Sequence, residues 1–128
     1  MRNIFNYKDL LLTITDQFPE FKKSDDFNLW KFEDDVENKF ILEEFGKFSV
    51  KEIEGKNIDF KTRFFYFINI FFELNHNNHD LINRIGVDIF ENLALSDIVA
   101  KISLNELKNK ALKSFVDSLK YRNPKILT

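Results

Sequence analysis

Cysteine is absent from this 128-residue chain, which excludes a disulfide framework, a thiolate metal site and a cysteine nucleophile. Glycine occurs three times and proline twice. Gly46, Gly55 and Gly86 stand far apart, so no glycine-rich phosphate loop can form. The densest apolar run, Phe64 to Leu74, is too short to span a bilayer and carries Asn69 and Glu73. The opening, MRNIFNYKDLLLTITDQF, lacks the apolar core and small-residue cleavage site of a secretory signal. These absences point to a cytoplasmic protein without a membrane span.

What is abundant is phenylalanine, with sixteen residues, in an otherwise ordinary balance of 44% apolar and 31% charged residues. A single domain of this length buries about two-thirds of the surface exposed by its unfolded chain, and large rings supply much of that burial. Residues 1–59 hold 14 acids against 9 bases, a net of −5, whereas residues 60–128 hold 7 against 10, a net of +3. Within Glu33–Glu54 the imbalance is 8 acids to 3 lysines. Phosphates are repelled by such a segment, so its charge disfavours nucleic acid and favours a basic protein partner.

Helical spacing dominates the chain. Leu10, Leu11, Ile14 and Phe18 predict a first helix over Tyr7 to Phe18, stopped by Pro19. A second is predicted from about Leu29 to Leu42 with Trp30, Val36, Phe40 and Ile41 facing inward. Gly46 reads as a break, followed by a short helix over Ser49–Glu54 with a capping box between Ser49 and Glu52, closed by Gly55-Lys56-Asn57. Asp59 is the expected cap of the next helix, Phe60 to Leu74, whose rings at 60, 64, 67 and 71 join Ile68 on one face, widened by 65 and 72. Strand is the competing reading of this aromatic run, but Lys61, Thr62, Asn69 and Glu73 gather on one side of a helical projection, which alternation would not produce.

After the turn LNHNNH, with Asn78 or Asp80 as cap, Leu81, Ile82, Ile85, Ile89, Phe90 and Leu93 resume helical spacing. Gly86 in their midst predicts close helix packing that uses its missing side chain. Ser96-Asp97 predicts a brief turn through Val99. Ser103 and Glu106 read as a capping box opening a last helix to about Tyr121, with Lys108, Lys110, Lys113 and Lys120 on its outer face and residues 121–128 as a frayed tail. The expected fold is therefore all-α, one domain over 1–128, with about five main helices packed as antiparallel hairpins in a bundle or short HEAT-like arrangement.

Chemistry is hard to place on this scaffold. His76 and His79, with Glu73 and Asp80, suggest a metal site, yet helical positions i, i+3 and i+6 spread too widely around the axis to converge on one ion. A two-histidine acid–base pair for RNA cleavage would take Arg84 as its phosphate partner. Against both, a polar inter-helix turn accounts for the same residues. Adjacent acids such as Asp34-Asp35 and Glu43-Glu44 have no pocket to act in, and four lysines on one helix face lack the aromatic platform of a nucleic-acid site. The expectation is a non-enzyme with no cofactor and no metal.

The order of segments carries a resemblance. An initial helix ending in FPEF, a Trp-containing acidic stretch, the FGKF segment and then FFYFINIFFELNHNNHDLINRIGVDIFENL resemble small helical immunity proteins of bacterial polymorphic-toxin and contact-dependent growth-inhibition systems, over roughly Leu12 to Leu95. The resemblance implies a protein that binds and neutralises a cognate toxin C-terminal domain, often a nuclease with a basic cleft. Local charge density then nominates Glu33, Asp34, Asp35, Glu37, Glu43 and Glu44 as the partner-binding acids that would imitate phosphate. The alternative is a non-catalytic helical adaptor or scaffold module, whose sign would be a concave apolar or mixed groove instead of an acidic patch.

Overall fold

The computed structural model describes residues 4, 6–28 and 35–128, with side chains at all of these except 26, 28 and 35–39. Every regular element among the described residues is helical. The chain runs through α1 (Tyr7–Gln17), α2 (Pro19–Lys22), α3 (Asp25–Asn28), α4 (Asp35–Glu54), α5 (Ile58–Asn75) and α6 (His79–Arg84). A single π-helical turn, Ile85–Phe90, joins α6 to α7 (Glu91–Leu95); α8 (Asp97–Glu106), α9 (Asn109–Arg122) and a 3₁₀ turn (Pro124–Leu127) complete it. The long helices α4, α5 and α9 and the bent rod α6–π–α7 close a ring, each packing on the next. Helix α1 lies on α4, and α8 packs against α4, α7 and α9.

Helix starts follow local chemistry. The side-chain oxygens of Asn6, Asn57, Asn78 and Ser96 accept from the backbone N–H groups of Asp9, Phe60, Leu81 and Val99, satisfying donors that the first turn leaves unpaired. Acids follow in each first turn (Asp9, Asp59, Asp80 and Asp97), where the helix dipole favours them. Asp59 therefore complements the dipole of α5, while Asn57 caps it. Pro19 does more than stop α1, because it opens α2 at a position where its missing N–H costs nothing.

The rings form the core. Phe18 meets Phe45, Phe60 and Phe67 at centroid separations of 5.2, 5.4 and 5.7 Å, and Phe72 stacks on Phe90 at 5.4 Å, which in turn meets Phe115 edge-on. The face of α5 expected from its spacing is the buried one: Phe60, Phe64, Phe65, Phe67, Ile68, Phe71 and Phe72 are all enclosed. Because its stripe is wide, α5 can pack against both α4 and α9.

Gly46 does not break the chain. Helix α4 runs through it to Glu54, and Ser49, expected as an N-cap, lies buried in mid-helix with its hydroxyl donating to the Phe45 carbonyl at 2.7 Å. What Gly46 provides is proximity, since a Cβ there would lie 2.6 Å from the Asp88 carbonyl oxygen and 3.2 Å from Ile89 Cα. That carbonyl belongs to the π-turn and accepts from the Asn92 side-chain amide at 2.8 Å. Gly86, expected in close packing, has nothing within 4 Å of an added Cβ. Gly46 thus holds the close-packing position that the sequence suggested for Gly86.

The C-terminal third also departs from local signals. Asp97 opens a ten-residue helix instead of a brief turn, and Ser103 is buried within it, its hydroxyl donating to Val99 O. The last helix starts at Asn109, not at Ser103, because the half-buried Asn69 of α5 intervenes. Its amide donates to Glu106 O at 3.1 Å and its carbonyl accepts from Lys108 N at 2.9 Å, supplying both backbone partners that a break requires. Asn109 takes a φ of 53° at the corner, a conformation asparagine tolerates. The terminal residues, expected to fray, are held by Asn123, whose buried amide donates to Ala94 O and Asp97 Oδ1, and by the Lys125–Asp97 ion pair.

Candidate functional site

Glu33 and Asp34 of the proposed acidic set, and Trp30 beside them, lie outside the described residues. Asp35 and Glu37 belong to the first turn of α4, with their side chains outside the description. Glu43 and Glu44 are the two acids that the structure brings together. At 100° per residue they flank the outward line of α4, opposite buried Ile41, Leu42, Phe45 and Ser49. Lys47 projects between them, 3.7 Å from Glu43 Oε1 and 3.6 Å from Glu44 Oε1. Both separations exceed hydrogen-bond length, so Lys47 is held loosely and the three groups leave one net negative charge.

Phe40 shares that outward line. Expected inside, it is 42% exposed. Its position one turn before Glu43 and Glu44 puts a large ring beside their carboxylates. The sequence signal existed, because Phe40 falls opposite Leu42 and Phe45 in a continuous α4 projection. A helix that stops at Leu42, with a register broken at Gly46, does not show it, whereas α4 runs on to Glu54.

Charged groups elsewhere serve mainly to join elements. Arg63 of α5 donates to Gln17 O at 3.1 Å at the end of α1, contacts Asp59 Oδ2 at 2.9 Å and Glu20 Oε1 at 2.9 Å, and lies over the Phe18 and Phe60 rings. Glu20 Oε1 is cut off from water, and the guanidinium is its compensating charge. Partial burial works against the charge on Arg63, but Glu20 and Asp59 more than offset it and hold its pKa above the ordinary value. Burial, reinforced by the negative charge of Asp88, pushes the Tyr7 phenol above its usual range. Its ring sits 4.4 Å beneath the Arg84 guanidinium. The Asn123 amide, then Lys125, holds the Asp97 carboxyl below its usual range.

The histidines do not converge. The His76 ring nitrogen Nδ1 lies 3.1 Å from Glu73 O and its side chain lines a hollow with Phe72 and Ile82, whereas His79 lines a different one with Ile4 and Leu74. Arg84, the candidate phosphate partner, is engaged by Tyr7. Among the described residues no group of three or more His, Asp or Glu side chains is placed to hold a metal ion. No helix among them is long and apolar enough to cross a membrane.

A second surface was not foreseen. Between the α6–π segment and α9 lies a cavity of about 740 Å³ with Gly86 and Val87 on one side and Ser118 and Tyr121 on the other. A smaller hollow of about 320 Å³, lined by Phe72, His76, Lys110 and Lys113, shares Ile82, Asn83, Ser114 and Asp117 with it, so the two form one open trough. Its walls mix polar and apolar groups. Comparison with protein-family models, with curated proteins and with solved structures found no match for this chain.

Proposed function

We propose that the protein is a non-catalytic binding protein that neutralises a bacterial toxin domain by covering a basic surface with the outer face of α4. The observation that supports this reading is the placement of Phe40 with the partly exposed Glu43 and Glu44 on the outward face of a helix whose opposite face is locked into the core by Phe45 and Gly46. On a rigid support an aromatic ring can supply burial to an interface while neighbouring carboxylates supply orientation and association rate. Lys47 would turn away as a basic partner arrives, releasing two carboxylates that are paired only loosely in the free protein.

The test is co-expression with the product of the reading frame directly upstream, read as growth rescue and as complex formation. Rescue by the wild-type chain is expected, with binding weakened about tenfold or more by Glu43→Lys combined with Glu44→Lys, and less salt-dependent in that variant. No rescue and no complex would sink the reading. An adaptor or scaffold role is the second reading, supported by the mixed trough beside α9.

A further inference from the structure

We propose that the trough between the π-turn and α9 binds an extended peptide segment of another protein, seating apolar side chains over Gly86 and Ile82 and an acidic residue against Lys110 and Lys113. The inference stands apart from the α4 surface, because Asp88 and Ile89 of the π-turn face Gly46 of α4 while Gly86 opens into the trough.

Length selects a peptide over a compact ligand. Lys110 and Tyr121 bracket the trough along α9, and eleven helical steps span about 16 Å, enough for about five extended residues at about 3.3 Å each. Depth comes from Gly86. Alanine at that position would meet nothing and favour helix, so the missing methyl lowers helix propensity while leaving the backbone open to an incoming chain. Ile82 and the edge of Phe72 add apolar surface beside it.

Charge fixes which end of the peptide is acidic. Among the described residues Lys110 and Lys113, like other exposed lysines, have no carboxylate within ion-pair distance, whereas the two other cations nearest the trough, Lys120 and Arg122, do. Asp117, which lines both hollows, is paired with Lys120, and at the far end Glu91 is paired with Arg122 at 2.9 Å. An anionic side chain is therefore attracted at the Lys110 end alone. A nucleic-acid strand, with a phosphate at each step, would run onto Asp117 and Glu91, which favours a peptide instead.

A phage-displayed library of short random peptides, panned on the full-length protein, tests this, with the most enriched peptide then synthesised for fluorescence-polarisation titration. The expected peptides carry Asp or Glu at one end followed by apolar residues. Gly86→Leu fills the trough and is expected to weaken the synthetic peptide about tenfold or more, and Gly86→Ala by less. Lys110→Glu with Lys113→Glu, two changes on exposed positions, is expected to abolish binding and to select basic peptides in a repeat panning. Should Gly86→Leu fail to fold by circular dichroism, the alanine and double-glutamate variants carry the test. No enriched peptide, enrichment without acids, undiminished binding by folded Gly86→Leu, or displacement of the peptide by a short RNA oligonucleotide would each overturn the proposal. The Glu43→Lys, Glu44→Lys variant should bind the peptide like wild type; loss there would move the site to α4.

Discussion

Alanine substituted at two helical glycines should change stability in opposite directions. At Gly46 the new Cβ would lie 2.6 Å from Asp88 O, 3.0 Å from the Asn92 side-chain nitrogen and 3.2 Å from Ile89 Cα, and two of these three atoms are backbone. Neither can swing aside, so α4 must retreat from the π-turn or the π-turn must deform. Overpacking of this kind costs about 1–3 kcal/mol. Disturbing the Asn92–Asp88 hydrogen bond adds about 1 kcal/mol. Better helix propensity returns about 1 kcal/mol. The net expectation is a loss of about 1–3 kcal/mol, or roughly 4–12 °C in Tm for a domain of this size. At Gly86 the same methyl meets nothing, so only the favourable backbone contribution remains, about 0.5–1 kcal/mol and roughly 2–4 °C. Urea denaturation followed by far-UV circular dichroism, with thermal melts of the same samples, measures both. Shifts of the same sign in the two variants would refute the assignment of Gly46 to contact and Gly86 to open space.

Two further expectations follow from charged side chains. Arg63→Met should destabilise by about 1.5–3 kcal/mol, a figure dominated by the lost charged hydrogen bond to Gln17 O and the stranded Glu20 oxygen, with the ion pairs discounted because Arg63 and Glu20 are about one-third exposed and Asp59 is mostly exposed. Adding Glu20→Gln should recover part of that loss in a double-mutant cycle, and strict additivity would show that the two side chains are not coupled. Asp97 makes stability depend on acid pH. Its folded pKa lies below the unfolded value of about 4, so its contribution is fully present above about pH 4 and is lost as pH falls through the folded pKa. The Tm gap between wild type and Asp97→Asn should therefore exist at neutral pH and close at strongly acidic pH; a gap that persists unchanged there would place its origin in packing.

The candidate surfaces show why local reading reached some features and missed others. Glu43 and Glu44 were identifiable from charge density, since outward acids on an amphipathic helix need no tertiary information. Phe40 required knowing that α4 continues through Gly46, where the absence of a side chain answers to the Asp88 carbonyl some forty residues away. The trough required more still, because its walls come from α6, the π-turn and α9, and its floor is defined by the absence of a side chain. Periodicity alone does not place a π-turn, which keeps the same residues facing the core while shifting those that follow by one position.

By itself the sequence determined the helical class, the start and stop of α1, the existence of α5, the turn at Asn78 and the aromatic face from Phe60 to Phe72, all of which rest on spacing and on contacts within a few residues. Only the tertiary structure decided which glycine is packed and which is open, where α8 gives way to α9, and which exposed groups share a surface. The physical reason is range. Capping and amphipathic burial act within one or two turns, whereas the meaning of Gly46, Asn69 and Gly86 depends on what a distant segment places beside them.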